Sequence, residues 1–228
     1  MVKQPRSAGW GFACDHSRTT HEHELLEHAI AGSVQTADGR SIAFSFAMRM
    51  ERFAFTHEQT SLRAGDAEPI DPLIVDLDGR GVRFSGGVRH AFDLDADGTD
   101  EHIAAPTAGA ALLALDRDGN GTIDSGAELF GPRSGNGFAE LAAHDADGNG
   151  WIDAGDPVWE GLVLWRPGAS TTASVGQAGL GAIALSPVDT PFAMADGDGA
   201  NAGLMRRSSV YLDAQGRAGG VHQVDLYG

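Results

Sequence analysis

The stretch Asp116–Glu128, "DRDGNGTIDSGAE", places oxygen-bearing side chains at alternate positions. With Asp116 as position 1, Asp118 and Asn120 fall at 3 and 5, Gly121 at 6, Thr122 at 7 and Asp124 at 9. That spacing has a physical reason. A hard cation such as Ca2+ takes roughly six to eight oxygens at 2.3–2.6 Å, and a tightly wound loop supplies them by turning alternate residues inward. Glycine at position 6 permits the sharp bend. Position 7 lends its backbone carbonyl, position 9 a side chain or a water, and position 12 a closing carboxylate. Here position 12 is Ala127, and the acid stands one place later, at Glu128. A cation loop would bring both ends of this stretch together and expects a helix after it; a plain polar turn would do neither.

Two further segments repeat the pattern. Asp145–Asp156, "DADGNGWIDAGD", follows the EF-hand spacing with no slip. Asp145, Asp147 and Asn149 fill positions 1, 3 and 5, the Trp151 carbonyl position 7, Asp153 position 9 and Asp156 position 12. A closing aspartate in place of glutamate resembles dockerin-type loops. Asp93–Glu101, "DLDADGTDE", offers Asp93, Asp95 and Asp97 at 1, 3 and 5, the Thr99 carbonyl at 7 and Glu101 at 9, but Ala104 stands at 12. The ligand count predicts Ca2+ at two sites, with residues 93–101 as a weaker third. In the slipped loop, Gly126 is expected to take a positive φ and absorb the extra residue, so that Glu128 reaches back from the start of a helix. "DLDGRG" (76–81) has Arg80 where a third ligand should be and reads as a strand end with a turn; "DGDGAN" (196–201) reads as a loop.

Charge points the same way. Of 228 residues carrying a net charge of −16, the segment Asp66–Glu160 holds 20 acids against 5 arginines, a net of −15. Such a field repels nucleic acid and anionic membranes, so neither is expected as a partner. No apolar run approaches the length of a membrane span, which argues against insertion. The start, "MVKQPRSAGWGFACDHS", lacks the apolar core of a Sec signal. The single cysteine, Cys14, cannot form an internal disulfide.

Periodicity gives the frame. Residues 1–28 are His-rich with no clear period. Residues 29–69 read as a β-hairpin and a linker: Ile42, Phe44, Phe46, Met48 and Met50 alternate along one strand, and Asp38-Gly39 is a two-residue turn signal. Residues 70–186 hold the acidic loops. "LIVDL" (73–77), "VRHAFDLDADG", "AGAALLAL" (108–115), "LVLW" and "GAIAL" read as strands, "GAELFG" as a helical turn or two, "NGFAELAAHD" as a helix and "DPVWEGL" as a short helix with Pro157 near its first turn. Residues 187–228 end in a β-hairpin. The expected fold is therefore α+β: β-hairpins at both ends around EF-hand-like loops framed by short helices. His16, His21, His23 and His28 invite a zinc site, but His23 and His28 are five apart where a zincin helix needs four, so they read as incidental polar residues. There is no G-x-S-x-G, phosphate loop or dinucleotide fingerprint.

"DPLIVDLDGRGV", "FDLDADGTDE", "LLALDRDGNGTIDSGAELFG", "GFAELAAHDADGNGWIDAGDPVWEGLVLW" and "LGAIAL" follow one another over roughly residues 70–186. In that order they resemble a bacterial EF-hand-like calcium-binding module of RTX-type and VCBS-repeat secreted proteins. The resemblance includes the late glutamate and implies calcium at the slipped loop. It implies a calcium-stabilised module, extracellular or on the cell surface, with a structural or interaction role toward another protein or a cell-surface component. One branch of the family is the self-processing module of RTX proteins, which calcium folds and which cuts an Asp-Pro bond at its own start. Asp71-Pro72 matches that position. The alternative function is thus calcium-dependent cleavage at Asp71-Pro72 through a five-membered anhydride, followed by hydrolysis or capture by a lysine. This chain departs from the expected context at Arg80 and contains one lysine, Lys3.

Overall fold

A computed structural model describes residues 12–36, 39–64 and 70–226. Two strands, β1 (Phe12–Gln35) and β2 (Ser41–Ala64), pair as a two-stranded ribbon. Asp38 of the expected turn lies outside the described residues; beside it Gly39 takes φ +83° and donates its N–H to the Thr36 carbonyl. Residues 12–28, expected to be irregular, belong to β1. The side chains of His16, His21 and His23 lie outside the described residues, so the zinc reading has no geometry to meet.

The chain divides into two compact units, residues 1–28 with 48–68, and residues 29–47 with 69–228. The second is built on one antiparallel sheet. Its strands are β3 (Leu73–Asp76), β6 (Ala110–Leu115), β7 (Trp151–Asp153), β8 (Leu162–Trp165), β9 (Ala173–Ser174), β10 (Leu180–Ala184), β11 (Val188–Ala195), β12 (Asn201–Asp213) and β13 (Ala218–Leu226). They lie in the order β7-β10-β12-β13-β3-β6-β8-β9, with β11 on β12. A second pair, β4 (Phe84–Phe92) and β5 (Glu101–Pro106), forms its own ribbon.

The middle strands explain themselves. "LIVD" and "AALLAL" are apolar without alternation, as strands covered on both faces must be. Leu73, Ile74, Val75, Leu112 and Leu113 are all fully buried. On one face Leu73, Val75, Leu113, Leu164 and Val221 join Phe138 and Leu141 in the core. On the other, Trp165 of β8 packs against Phe92 of β4, ring centroids 4.6 Å apart.

The α+β expectation is wrong: the unit is a β-sheet protein with one six-residue helix, α1 (Gly137–Ala142), among the described residues. α1 is where the sequence put it, capped by Asn136, whose side chain accepts the Ala139 N–H, and it buries Phe138 and Leu141 while Ala142 faces solvent. The other two expected helices are single 3-10 turns, Gly126–Glu128 and Trp159–Gly161. Helix nucleation is unfavourable and needs length to be repaid. After Glu128 the chain reaches Gly131-Pro132 within four residues, and after Gly161 the run "LVLW" joins the sheet beside β6.

Candidate metal centre

The three acidic segments adopt one hydrogen-bonded loop three times. In each, the first aspartate accepts the N–H of the glycine at position 6: Gly98 to Asp93 (3.0 Å), Gly121 to Asp116 (2.8 Å) and Gly150 to Asp145 (3.0 Å). Position 5 is turned by the third residue, with Asn120 N–H on Asp118 and Asn149 N–H on Asp147 at 3.0 Å each, and Asp97 N–H on Asp95 at 3.0 Å. Position 7 donates back to position 5 in all three, from Thr99, Thr122 and Trp151. Glycine at position 6 takes φ +92°, +84° and +82° in turn, the left-handed region that this bend requires.

Closure is also shared, and it places the late glutamate. Asp156 accepts Ala146 N–H through Oδ1 (2.7 Å) and Asp153 N–H through Oδ2 (3.0 Å). Glu128 accepts the equivalent pair, Arg117 N–H through Oε1 (3.2 Å) and Asp124 N–H through Oε2 (3.0 Å). Glu101 accepts Leu94 N–H at 2.8 Å. Glu128 and Asp156 are 4% and 2% exposed, so each closing carboxylate is drawn in while most of its loop stays in solvent. Among the described residues, ligand atoms of Asp93, Asp95 and Glu101, of Asp116, Asp118 and Glu128, and of Asp145, Asp147 and Asp156 each gather within 4.8 Å. These groups could hold a metal ion.

Gly126 works otherwise than expected. Its φ is not positive. Its N–H donates to the Asp93 carbonyl at 2.8 Å, and a Cβ there would overlap the Leu94 carbonyl oxygen. The glycine therefore allows two loops to touch, and the extra residue is taken up by the 3-10 turn. Asp124, Asn120 and Asp118 are linked through the Asn120 amide, which donates to both carboxylates at 2.9 Å.

The donors are carboxylates, an amide or carboxylate oxygen, and backbone carbonyls, an all-oxygen set suited to a hard cation. Backbone N–H groups, Gly121 foremost, hold the Asp116 carboxyl below its usual range. Burial, and then the charges of Asp95 and Asp97, push Glu101 up. That like-charge repulsion is what a bound cation would remove. Asp93 Oδ1 is buried with no hydrogen-bond partner among the described residues, a lone pair left for a ligand.

The Asp76 loop is closer to this design than its sequence suggested. Gly79 and Gly81 donate to Asp76, and Arg80 to Asp78, as in the first half of the other loops. Arg80 replaces the third ligand, and among the described residues no closing acid is grouped with it. Asp196–Ala200 is a turn between β11 and β12, as read.

Asp71 and Pro72 stand apart from the loops, at the head of β3. Both are buried, Asp71 to 4% exposure. The carbonyls on either side of their peptide bond are fixed to β13: Pro72 O accepts Val224 N–H and Ile70 O accepts Leu226 N–H, both at 3.2 Å. Across the bond lies Gly131, φ +126°, where any Cβ would overlap the Asp71 carbonyl oxygen. A cleft of about 280 Å³ opens here, lined by Asp71, Gly135, Asn136, Arg206, Arg207 and Gln223. Burial, moderated by the Gln223 hydrogen bond and reinforced by the Asp225 charge, raises the Asp71 carboxyl to about 6. Sequence reasoning missed Arg206, Gln223 and Asp225. The signal was there: in "VHQVDL" Gln223 and Asp225 share a strand face with the buried Val221, where an apolar residue is the rule.

Among the described residues no helix is long and apolar enough to cross a membrane. The iron-regulated protein FrpA of Neisseria meningitidis serogroup C is 35% identical to this chain over 118 residues, a match that covers 46% of the chain and 10% of FrpA. The chain thus spans about a tenth of that bacterial relative. The sequence profile of the SPM domain fits a longer stretch, residues 73–226, from the first residue of β3 to the last of β13. With the whole central sheet inside the match, the protein belongs to the SPM domain family.

Proposed function

We propose that the protein is a calcium-binding module whose acidic loops close around Ca2+ and thereby fix the sheet they border. One observation carries this reading: the same loop recurs three times, each time with a closing acid, Glu101, Glu128 or Asp156, bonded to the second residue of its loop. A loop that only needed to turn would not require a distant carboxylate in the same place. Asp116, Asp118, Asn120, the Thr122 carbonyl, Asp124 and Glu128 would hold one ion, and Asp145, Asp147, Asn149, the Trp151 carbonyl, Asp153 and Asp156 a second. Asp93, Asp95, Asp97, the Thr99 carbonyl and Glu101 would hold a third. The ion supplies charge neutralisation and a tie between loop ends. Calorimetric titration with CaCl2 tests this. Asp116→Ala and Asp145→Ala should each lose one equivalent; unchanged stoichiometry in both sinks the assignment.

The surroundings of Asp71 favour a second activity, cleavage of the Asp71-Pro72 bond by the chain itself. A carboxyl oxygen of Asp71 bonds to the Asp71 main-chain carbonyl carbon, closing a five-membered anhydride. The C–N bond to Pro72 breaks, and the proline nitrogen leaves as an amine after taking a proton. Water then opens the anhydride to the free α-carboxylate. Proximity supplies most of the acceleration. A carboxyl raised to about 6 keeps its proton to higher pH than an ordinary aspartate and can pass it to the leaving nitrogen. Calcium would act at a distance, because Glu128 precedes by three residues the Gly131 backbone packed on the Asp71 carbonyl, and Leu73 N–H bonds Phe130 O at 3.0 Å. The family match beginning at residue 73 is in keeping with a module that starts at this bond. Electrophoresis and intact-mass analysis after adding CaCl2 should give fragments of 71 and 157 residues, and Asp71→Ala should stay whole. A parent chain that stays whole removes the second activity and leaves the first standing.

A further inference from the structure

The Asp71 carboxyl has the Gln223 amide on one oxygen and the Asp225 carboxyl beside it. Gln223 Nε2 donates to Asp71 Oδ2 at 2.6 Å and to the Gly135 carbonyl at 3.1 Å. Those two contacts place the amide, carried by β13, between the head of β3 and the turn before α1. Asp71 Oδ1 is buried and has no hydrogen-bond partner among the described residues. The neighbouring carboxylate, Asp225, is engaged by Arg206, through Nε at 2.6 Å and Nη2 at 2.5 Å, and its charge is thereby met from β12. Gln223 Oε1 is buried without a hydrogen-bond partner among the described residues as well. A buried amide oxygen left unpaired costs free energy, so the orientation of this side chain is maintained against a local penalty. The backbone on both sides of the Asp71-Pro72 bond is already fixed by Val224 and Leu226 of the same strand. What remains is rotation of the carboxyl itself, and Gln223 is the side-chain donor that limits it.

We propose that Gln223 is a positioning residue for self-cleavage: by holding Oδ2, it leaves Oδ1 as the oxygen that attacks the Asp71 main-chain carbonyl carbon. This rests on the self-cleavage reading above. The bond changes are those already given, with Oδ1 as the oxygen that forms the new C–O bond. Gln223 neither gains nor loses a proton and forms no covalent bond.

The test is cleavage of the full chain in CaCl2, followed by intact mass over time and pH, for the parent, Gln223→Met and Gln223→Ala. Methionine keeps the volume and removes the donor; alanine removes both. Both variants should cleave about 10- to 100-fold more slowly, the range that loss of orientation produces. The pH at which the rate is half-maximal should rise, because a donor to the carboxylate has been lost while Asp225, Arg206 and Arg207 still face Asp71. Thermal melts in CaCl2 identify the variants that fold. Parent-like rates and profiles in a folded variant overturn the positioning role and leave self-cleavage intact. A slower variant whose pH profile has not moved also overturns it, since packing alone would then explain the loss. If the parent does not cleave, the self-cleavage reading and this role fall together.

Discussion

Glu128 shows how a side chain can compensate for a register error in the main chain. The loop closes through two N–H groups, Arg117 and Asp124, and the longer side chain of glutamate reaches both from one place late. Asp156 reaches its pair in ordinary register with a shorter one. The hydrogen-bonded form of all three loops was therefore legible residue by residue, including the place of the late acid. His222 was not, because nothing local marks it. It is 1% exposed, with Nδ1 2.8 Å from Ser208 Oγ, which in turn lies 2.6 Å from Thr190 Oγ1. Burial pushes its pKa down to about 4, against an ordinary 6.5. The unfolded chain thus takes up a proton at this residue before the folded chain does. Stability from His222 is present above pH 6.5 and is lost as pH falls toward 4. In denaturant titrations, the stability gap between the parent and His222→Asn should shrink by about 2 kcal/mol between pH 7 and pH 5. A gap that is the same at both pH values would mean that the imidazole titrates normally in the fold.

At the level of elements, strands were easier to read than helices. "LIVD", "AALLAL" and "LVLW" stand in the sheet because unbroken apolar runs of that length suit strands buried on both faces. β5 and β11 were missed. "EHIAAP" does not alternate cleanly, and "VDTPFAMA" carries a proline, Pro191, that fits a strand paired only to β12. The helices around the loops were expected from local periodicity and from Pro157 near a first turn, and of these only α1 had both a side-chain cap and enough length. Gly126 was noticed for the wrong property. It matters as a contact point between the first two loops, so Gly126→Ala should destabilise the protein by about 2–4 kcal/mol, with a Cβ forced onto backbone that cannot move aside alone. Calorimetry should show the loops at 93–101 and 116–128 weakened together and the loop at 145–156 retained. Loss confined to 116–128 would mean that the two loops bind independently.

At the scale of the whole molecule, charge decides what the fold needs. A net −15 between Asp66 and Glu160 is concentrated in loops whose carboxylates lie within 4.8 Å of one another. Arg117 is the basic residue within the 116–128 loop, and its guanidinium is turned to Phe130, 5.3 Å from the ring centroid, and to the Ala127 carbonyl. Without cations the carboxylates gathered within each loop repel one another at short range. With them, each site adds RT ln(1 + [Ca2+]/Kd), or about 2.7 kcal/mol at a hundredfold excess over Kd. Two sites would then supply a large share of a typical stability of roughly 5–15 kcal/mol. The direct measurement is a thermal melt in CaCl2 and in EGTA at matched ionic strength, on Asp71→Ala so that cleavage does not intervene. A midpoint higher by ten degrees or so in calcium is the predicted result. Equal midpoints would contradict the account, because the acidic loops would then hold their shape without metal.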